Sequence, residues 1–483
     1  MEVRFIVTKT RQLADDRPLP LLLGVLYKLQ ESLTHSVDGI GRNVEPVALD
    51  NKEDVVSLLG HYWQLIRAAD SSIRYIDHDL GQDEEENQED RAARIIKMSK
   101  REYATILGIP EEQVVWVWSS KAVEASTSLS KHVPEHMITV DHQQKSVILT
   151  LLGTKVFPAP QPLDIIMDLM ATVETFLDGI AHGGLSVGTR NLVETAGPVL
   201  RRELECRPSY SLLILGYSLG AGLAQLLALD CQLGPCSQSL PRNTNIRTVA
   251  FGSPPVFARQ REEPPVLDNV FIVQNSEDGI SGASLRNVYD VLNKACLVHS
   301  LNIKRRNLLK LLFSDLETEE DEQDKELIQF QDDQYDDEAE LIDYDQLEME
   351  DNSDITDTWM RIKESLDNYS SKVEEPKLHH LGGTFLVLTK TSEDLIDVEN
   401  YQGFQGTEMF ARELILKGSM ISDHMPGAYN YLFEKYQNVN KTQKILSSDL
   451  LDRLVNKTEE TSFRGKLKEK VKSFLDFFNG IGK

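Results

Sequence analysis

The sequence predicts an α/β fold in which helices cover both faces of a mostly parallel sheet. From about residue 136 onward, short runs rich in apolar and β-branched residues alternate with helical patterns. Alternation of this kind is typical of parallel sheets, because each crossover helix packs back onto the sheet that it connects. A serine between two glycines also stands where one apolar run passes into a helical pattern, a layout that recurs in α/β folds.

Five predicted strands precede an acidic segment, and one follows it. We expect the strands at 137–140, 146–152, 211–216, 246–252, 269–274 and 383–389. Helical patterns lie between them at 162–178, 188–205 and 219–229. The chain then divides into a helical N-terminal region (1–130), the first part of the core (131–314), the acidic insertion (315–357), the last core strand and the region after it (358–440), and a basic amphipathic tail (441–483).

The charge of the chain is concentrated in one segment. The whole sequence carries a net charge of −26, and residues 315–357 contribute 21 acidic side chains and one lysine, or −20. The remainder therefore carries −26 − (−20) = −6, which is only mildly acidic. Dense like charge with little hydrophobicity predicts disorder in the insertion. Nucleic acid is excluded as a partner, since no basic face for phosphates is apparent.

The cysteines and the apolar runs indicate a reducing, cytoplasmic setting. The four cysteines, Cys206, Cys231, Cys236 and Cys296, form no disulfide framework and no paired metal motif. The N-terminus lacks the layout of a secretory signal. No run reaches the ~18 apolar residues that a membrane span needs.

The segment from Gly216 to Gly220 (GYSLG) predicts a nucleophile elbow and, with it, an α/β-hydrolase fold. It lies directly between an apolar strand and an Ala/Leu-rich helix. A sharp strand-to-helix turn exposes the hydroxyl of Ser218, and the helix N-terminus behind it offers free N–H groups to an oxyanion. The alternative is a glycine-rich turn whose serine only caps the helix.

The general acid–base partners of such a serine follow it in the chain, the acid first and the histidine last. Asp278 fits the acid because it follows the strand 269–274, although Glu277 stands one residue away. Of the histidines beyond it, His424 follows the last strand, which favours it over His299, His379 and His380. For each candidate the alternative is an ordinary surface side chain.

The oxyanion hole requires two donors. One N–H comes from the residue after the nucleophile, here Leu219, and the other from a loop after an earlier strand. The strand 146–152 ends in Gly153-Thr154, so Thr154 is the candidate, with an ordinary turn as the alternative.

Together these motifs resemble the class 3 lipase family, and within it the sn-1-specific diacylglycerol lipase-like branch. The similar blocks are DHQQKSVILTLLGT, DIIMDLMA, AHGGL, LILGYSLGAG, VAFGSPP and SMISDHMPGAY, which lie within 136–290 and 380–432. The sequence departs from the family at Tyr217, where histidine is usual, and at Asp278-Gly-Ile, where Asp-x-Val-Pro is common. It also has Leu-Gly-Thr where Arg-Gly-Thr is frequent, and it lacks the four membrane spans of the animal diacylglycerol lipases.

The resemblance implies an α/β-hydrolase that cleaves the carboxylic esters of acylglycerols through an acyl-enzyme. By position it makes Ser218 the nucleophile, Asp278 the acid, His424 the base, and Thr154 with Leu219 the oxyanion hole. It implies no cofactor and no metal. A phospholipase or carboxylesterase with the same residues is the first alternative. An inactive lipase-like scaffold that binds membranes or proteins is the second.

Two segments suggest how such an enzyme would meet its substrate. Residues 463–483 place apolar side chains at helical spacing and carry six basic and two acidic residues, a pattern that predicts contact with a membrane or lipid-droplet surface. A helix docked on the core is the alternative. The insertion 315–357 lies between acid and base in the sequence, so it either regulates access to the site or is a solvated loop.

Overall fold

The computed structural model describes a central core and several shorter stretches of the chain. The described residues are 22–28, 30, 44–49, 51–74, 88–120, 122, 133–153, 173–259, 263–301, 303–304, 307–308, 311, 353–369, 376–392, 395–411, 414, 416 and 419–437. Within them no helix combines the length and the apolar composition needed to cross a membrane. Several sequence predictions fall outside this part of the chain: the oxyanion residue Thr154, residues 162–172 of the predicted helix with the block DIIMDLMA, nearly all of the acidic insertion, and the basic tail.

Strands and helices alternate through most of the described chain. The first half contains α1 (Lys52–Arg74), α2 (Gln88–Leu107), β1 (Val114–Trp118), β2 (His136–Asp141), β3 (Ser146–Leu151), β4 (Val173–Phe176), β5 (Gly179–His182), α3 (Gly183–Glu205), β6 (Ser211–Tyr217) and α4 (Leu219–Leu233). The second half contains α5 (Cys236–Ser239), β7 (Ile246–Phe251), β8 (Phe257–Ala258), β9 (Leu267–Asn275), α6 (Leu285–Ser300), α7 (Ser353–Asp367), β10 (Gly382–Lys390), β11 (Ile396–Gln402), α8 (Gly403–Ala411) and α9 (Pro426–Gln437).

An eight-stranded sheet forms the centre of the fold, in the order β1-β2-β3-β6-β7-β9-β10-β11. The five central strands from β3 to β10 run parallel, and β1, β2 and β11 pair antiparallel at the two sides. The carboxyl ends of the parallel strands therefore meet at one edge of the sheet, where open α/β sheets bind their ligands. This arrangement confirms the predicted α/β fold with its mostly parallel sheet.

Each face of the sheet is buried under its own set of helices. One face packs against α3, α4 and α8, and its core is mainly aliphatic. The other packs against α1, α2 and α9, and it buries several large aromatic rings. A third apolar cluster joins residues 22–26, α6 and α7. Because that cluster also includes Leu219, Ile280 and Met420, it lies beside the carboxyl edge of the sheet.

The structure corrects several sequence predictions. The N-terminal region is not wholly helical, since β1 lies in it and joins the main sheet through β-branched and aromatic side chains. The strand at 383–389 is not the last one, because β11 pairs with it. Residues 173–176 form β4 rather than the end of a helix. Helix α7 begins at Ser353, so the last five residues of the predicted disordered insertion are helical.

Candidate active site

The turn between β6 and α4 has the strained geometry of a nucleophile elbow. Ser218 adopts φ 57° and ψ −127°, a conformation that non-glycine residues rarely occupy. The flanking glycines allow the strand and helix to approach. A Cβ on Gly216 would lie 2.3 Å from the carbonyl oxygen of Gly220, and a Cβ on Gly220 would lie 2.5 Å from that of Leu151. The main chain can therefore make this turn only with glycine at both positions.

The side chain of Ser218 does not cap the helix that it precedes. No side-chain capping bond runs from it to an N–H of α4. Its Oγ lies 2.9 Å from Nε2 of His424 instead, across 206 residues of chain. This contact removes the interpretation of Ser218 as a simple helix cap.

His424 is held between the serine and a carboxylate. Its Nδ1 lies 3.0 Å from Oδ1 and 2.9 Å from Oδ2 of Asp278. With the proton on Nδ1 donated to the carboxylate, Nε2 is the acceptor that faces the Ser218 hydroxyl. All three side chains are almost fully buried, at 5%, 2% and 1% exposure for Ser218, His424 and Asp278. We call these residues the Ser–His–Asp cluster.

Asp278 rather than Glu277 contacts the histidine. The Asp278 carboxylate also accepts a hydrogen bond from the Ile280 N–H at 3.0 Å, which begins a short 3-10 turn at Gly279. Glu277 is exposed, and its main-chain N–H donates to Oδ2 of Asp423 at 3.1 Å. Of the two neighbouring acids that sequence spacing left as alternatives, Asp278 is therefore the one whose carboxylate bonds His424.

A glycine makes space for the His–Asp pair. Gly252 follows β7 with φ +54°, and a Cβ there would lie 2.7 Å from Oδ2 of Asp278 and 3.0 Å from Nδ1 of His424. Any side chain at this position would push the imidazole and the carboxylate apart. In the sequence this glycine lies within VAFGSPP, where no local pattern indicates its role.

Main-chain and side-chain bonds hold the two loops of the cluster together. The Gly279 N–H donates to the Met420 carbonyl at 3.0 Å, and the Asn275 side chain donates to the Asp423 carbonyl at 2.9 Å. Burial raises the pKa of the Asp423 carboxyl, and the nearby charges of Asp278 and Glu277 raise it further. The loop that carries His424 is thus fastened to the loop that carries Asp278.

Two tyrosines contact the cluster: Tyr217, which belongs to the predicted elbow, and Tyr429, which was not predicted as a site residue. The Tyr429 hydroxyl donates to Oδ2 of Asp278 at 2.9 Å and accepts from the Asn275 N–H at 3.1 Å. The Tyr217 hydroxyl donates to the main-chain carbonyl of His424. Burial raises the pKa of Tyr429 and the Asp278 charge raises it further, so this phenol stays protonated as a donor. Tyr429 ends the block SMISDHMPGAY, and that proximity to the histidine was the available signal.

The main-chain N–H of Leu219, the first predicted oxyanion donor, directly follows the serine. Leu219 begins α4, and within the described chain no acceptor takes its main-chain N–H. Gly153 approaches the elbow so closely that a Cβ on it would lie 2.8 Å from Cβ of Ser218. The loop after β3 therefore reaches the serine, as the sequence predicted, and the candidate Thr154 follows it outside the described residues.

The other buried histidines near this edge have different partners. His136 accepts from Nε1 of Trp116 at 3.1 Å, and its Nδ1 lies 2.8 Å from the Pro134 carbonyl. His380 contacts the Ser281 carbonyl through Nε2 at 2.9 Å. Burial lowers the pKa of both histidines to about 4. Neither has a hydroxyl nucleophile or a carboxylate among its described hydrogen-bond partners, and the main chain of the disfavoured His379 bonds Val256 and Phe257.

The chain is similar to lipases over about a third of its length. Residues 141–285 match the model of the class 3 lipase family, which confirms that resemblance for this stretch. Diacylglycerol lipase-beta of Mus musculus is 32% identical over 103 residues, which is 19% of this chain and 14% of that protein. The lipase of Rhizopus niveus is 28% identical over 147 residues, 30% of this chain and 36% of that protein. The matched stretches thus span well under half of either relative.

Solved lipase structures align with this chain at low sequence identity. The Lip2 lipase of Yarrowia lipolytica aligns with a TM-score of 0.35 at 16% identity, covering 49% of this chain and 77% of that one. The native propeptide complex of the Rhizomucor miehei lipase aligns with a TM-score of 0.33 at 15% identity, covering 52% and 74%.

Proposed function

We propose, from the match of residues 141–285 to the class 3 lipase family and from the geometry at the sheet edge, that this chain is a serine lipase. Its reaction is hydrolysis of the carboxylic esters of acylglycerols, with Ser218 as nucleophile, His424 as general base and Asp278 as the acid that orients it. The observation that carries the proposal is the 2.9 Å contact between the Ser218 hydroxyl and Nε2 of His424. A hydroxyl is a weak nucleophile unless a base this close removes its proton.

In the proposed reaction, His424 takes the Ser218 proton as the oxygen attacks the acyl carbonyl carbon. The imidazolium that forms is stabilised by Asp278, which stays ionised. His424 then gives the proton to the departing alcohol, and an acyl-enzyme remains on Ser218. Water attacks this ester with His424 again as base, which releases the fatty acid and restores the serine.

The negative oxygen of each tetrahedral intermediate needs donors that are already in position. The N–H of Leu219, which no acceptor takes among the described residues, lies at the positive end of the α4 dipole and is one such donor. Thr154 remains the predicted second donor. Removal of a single oxyanion donor costs on the order of 10²–10³ in kcat in comparable sites.

An apolar region beside the cluster supports a lipid ester as the substrate. Leu219, Ile280 and Met420 pack into the third apolar cluster with α6 and α7, directly next to the three reacting side chains. A fatty acyl chain gains about 0.8 kcal/mol per methylene buried against such a surface. Contact with a membrane or lipid droplet through residues 463–483 is part of the proposal and rests on sequence alone.

The proposal is tested by labelling purified protein with a fluorophosphonate probe and by measuring hydrolysis of diacylglycerol, triacylglycerol and phospholipid. We expect one label per chain in the wild type, and none in Ser218→Ala, with kcat reduced about 10⁶-fold in that variant. Ser211→Ala is the matched control, because Ser211 begins the same strand and bonds Ser146 at the opposite edge of the sheet. Equal labelling of wild type and Ser218→Ala, or an inert wild type, would refute the proposal.

A further inference from the structure

Helix α1 lies far from the Ser–His–Asp cluster in sequence and outside the stretch that matches the lipase family, yet it contacts the residues that hold this cluster. Its Trp63 is 1% exposed and packs on the aromatic face of the sheet. We propose that Trp63 is a positioning residue, which orients His424 and Asp278 through Tyr217 and Tyr429. The inference rests on the proposed function, since it concerns how the base and the acid of that reaction are held.

Tyr217 contacts the base through both its hydroxyl and its ring. Its hydroxyl donates to the main-chain carbonyl of His424, and its ring stacks on the imidazole at 5.2 Å with an interplanar angle of 19°. Tyr217 also immediately precedes Ser218. A displacement of its ring therefore changes the distance between the serine hydroxyl and the imidazole.

Tyr429 contacts the acid. Its hydroxyl donates to Oδ2 of Asp278 at 2.9 Å, the oxygen that also contacts Nδ1 of His424. The two tyrosine rings touch each other at 5.8 Å in an edge-to-face arrangement. The base and the acid are therefore each contacted by one of two neighbouring tyrosines.

The indole of Trp63 contacts the rings of both Tyr217 and Tyr429. Trp63 stacks on Tyr429 at 4.8 Å and meets Tyr217 edge-to-face at 5.2 Å. It also contacts Phe251 at 5.6 Å, one residue before the glycine that makes space for the His–Asp pair. Its Nε1–H donates to Oδ1 of Asn430 at 2.9 Å, which fixes the turn of α9 that carries Tyr429. Edge-to-face and offset contacts define ring orientation, so a smaller side chain would leave both tyrosines free to tilt.

The neighbouring residue on α1 provides a matched control. Tyr62 is equally buried in the same apolar cluster, and its described ring contact is with His61. The charges that act on its hydroxyl are those of Arg247 and Asp141, at the opposite edge of the sheet from the cluster. Tyr62→Leu and Trp63→Leu thus each remove a buried aromatic ring from one helix, and only the second removes a contact with Tyr217 and Tyr429.

The experiment compares full-length wild type, Trp63→Leu, Trp63→Phe and Tyr62→Leu with a short soluble ester, after titration of active sites by the fluorophosphonate. We expect Trp63→Leu to lower kcat about 10- to 100-fold with KM within about twofold. The acid limb of its pH–rate profile should move to lower pH, because a loosened carboxylate stabilises the imidazolium less. Trp63→Phe should restore most of kcat, and Tyr62→Leu should lower Tm while kcat stays within about twofold.

A spectroscopic readout separates failure of this inference from failure of the proposed function. The Nδ1 proton of His424 that is shared with Asp278 should give a far-downfield ¹H resonance, assigned by its loss in His424→Ala. We expect it to shift or broaden in Trp63→Leu and to persist in Tyr62→Leu, whether or not the protein hydrolyses the ester. Equal effects of the two leucine substitutions on kcat and on this resonance would overturn the inference and leave the proposed function standing. An inert wild type that retains the expected resonance changes would refute the proposed function alone.

Discussion

The two faces of the sheet hold the candidate catalytic residues by different physical means. On the aliphatic face, the nucleophile is positioned by close contact between main-chain atoms, because Gly216 and Gly220 let β6 and α4 approach without a side chain between them. On the aromatic face, His424 and Asp278 are positioned by hydroxyl groups and stacked rings. A main-chain contact tolerates no added atom, whereas a network of side chains loses one bond at a time. We therefore expect substitutions on the aliphatic face to lower catalytic activity abruptly, and substitutions on the aromatic face to lower it in graded steps.

The largest effect is expected for Gly220→Ala on the aliphatic face. The added Cβ would lie 2.5 Å from the Leu151 carbonyl oxygen and 2.7 Å from the Leu152 carbonyl carbon, main-chain atoms that cannot move aside. We expect kcat to fall at least about 10²-fold and the free energy of unfolding to fall by about 1–3 kcal/mol or more, measured by ester hydrolysis and urea unfolding.

Gly427→Ala is the control for this prediction. Gly427 is near His424 at the start of α9, and a Cβ on it would meet nothing within 4 Å. We expect unchanged or slightly raised stability, since alanine favours the helix. Normal activity of Gly220→Ala would contradict the view that main-chain contact positions the serine.

An effect of intermediate size is expected on folding stability at low pH. It comes from buried histidines that have no carboxylate among their described hydrogen-bond partners. Burial lowers the pKa of His136 to about 4, whereas the unfolded chain titrates near its ordinary value of 6.5. As the pH falls from 6.5 toward 4, the unfolded state takes up a proton that the folded state does not. The stability that this residue contributes is therefore complete above pH 6.5 and is lost below it, by about 2–3 kcal/mol near pH 4.

His136→Gln tests this expectation, because glutamine can accept from Trp116 and donate to the Pro134 carbonyl without titrating. Urea midpoints between pH 7 and pH 4, the buffer range that spans both values, should decline less steeply in the variant than in the wild type. Parallel pH profiles would show that His136 is not held neutral by burial. Ester hydrolysis at neutral pH should be the same in both proteins.

The smallest effect is expected for Tyr429→Phe on the aromatic face. Phenylalanine keeps the ring contacts and removes only the hydroxyl that donates to Asp278 and accepts from Asn275. One lost bond to a charged group corresponds to about a tenfold fall in kcat with little change in KM. Tyr431→Phe on the same helix is the control, since Tyr431 is 59% exposed and its ring lies under the Lys390 ammonium. A hundredfold fall of kcat in Tyr429→Phe would mean that activity also falls abruptly after substitutions on the aromatic face.

Much of the fold and of the site follows from local sequence patterns. Apolar runs between turn residues predicted all five parallel strands, and GYSLG predicted the elbow, because strand, sharp turn and helix are each encoded by neighbouring residues. The strand β1 was missed because its VVWVW pattern is short and stands within helical surroundings. The order of acid and base along the chain predicted Asp278 and His424, although Glu277 fitted the spacing equally well.

Sequence alone determined the α/β architecture, the identity of the candidate nucleophile and the two segments that supply its partners, because each depends on residues close together in the chain. The tertiary structure decided which of two adjacent carboxylates meets the histidine, and it brought Trp63, Tyr217 and Tyr429 together around the base and the acid. The physical reason is that contacts between distant segments depend on the register of the sheet and on how helices pack across it. A periodic pattern indicates which face of an element is buried, but not which ring from another element lies against that face.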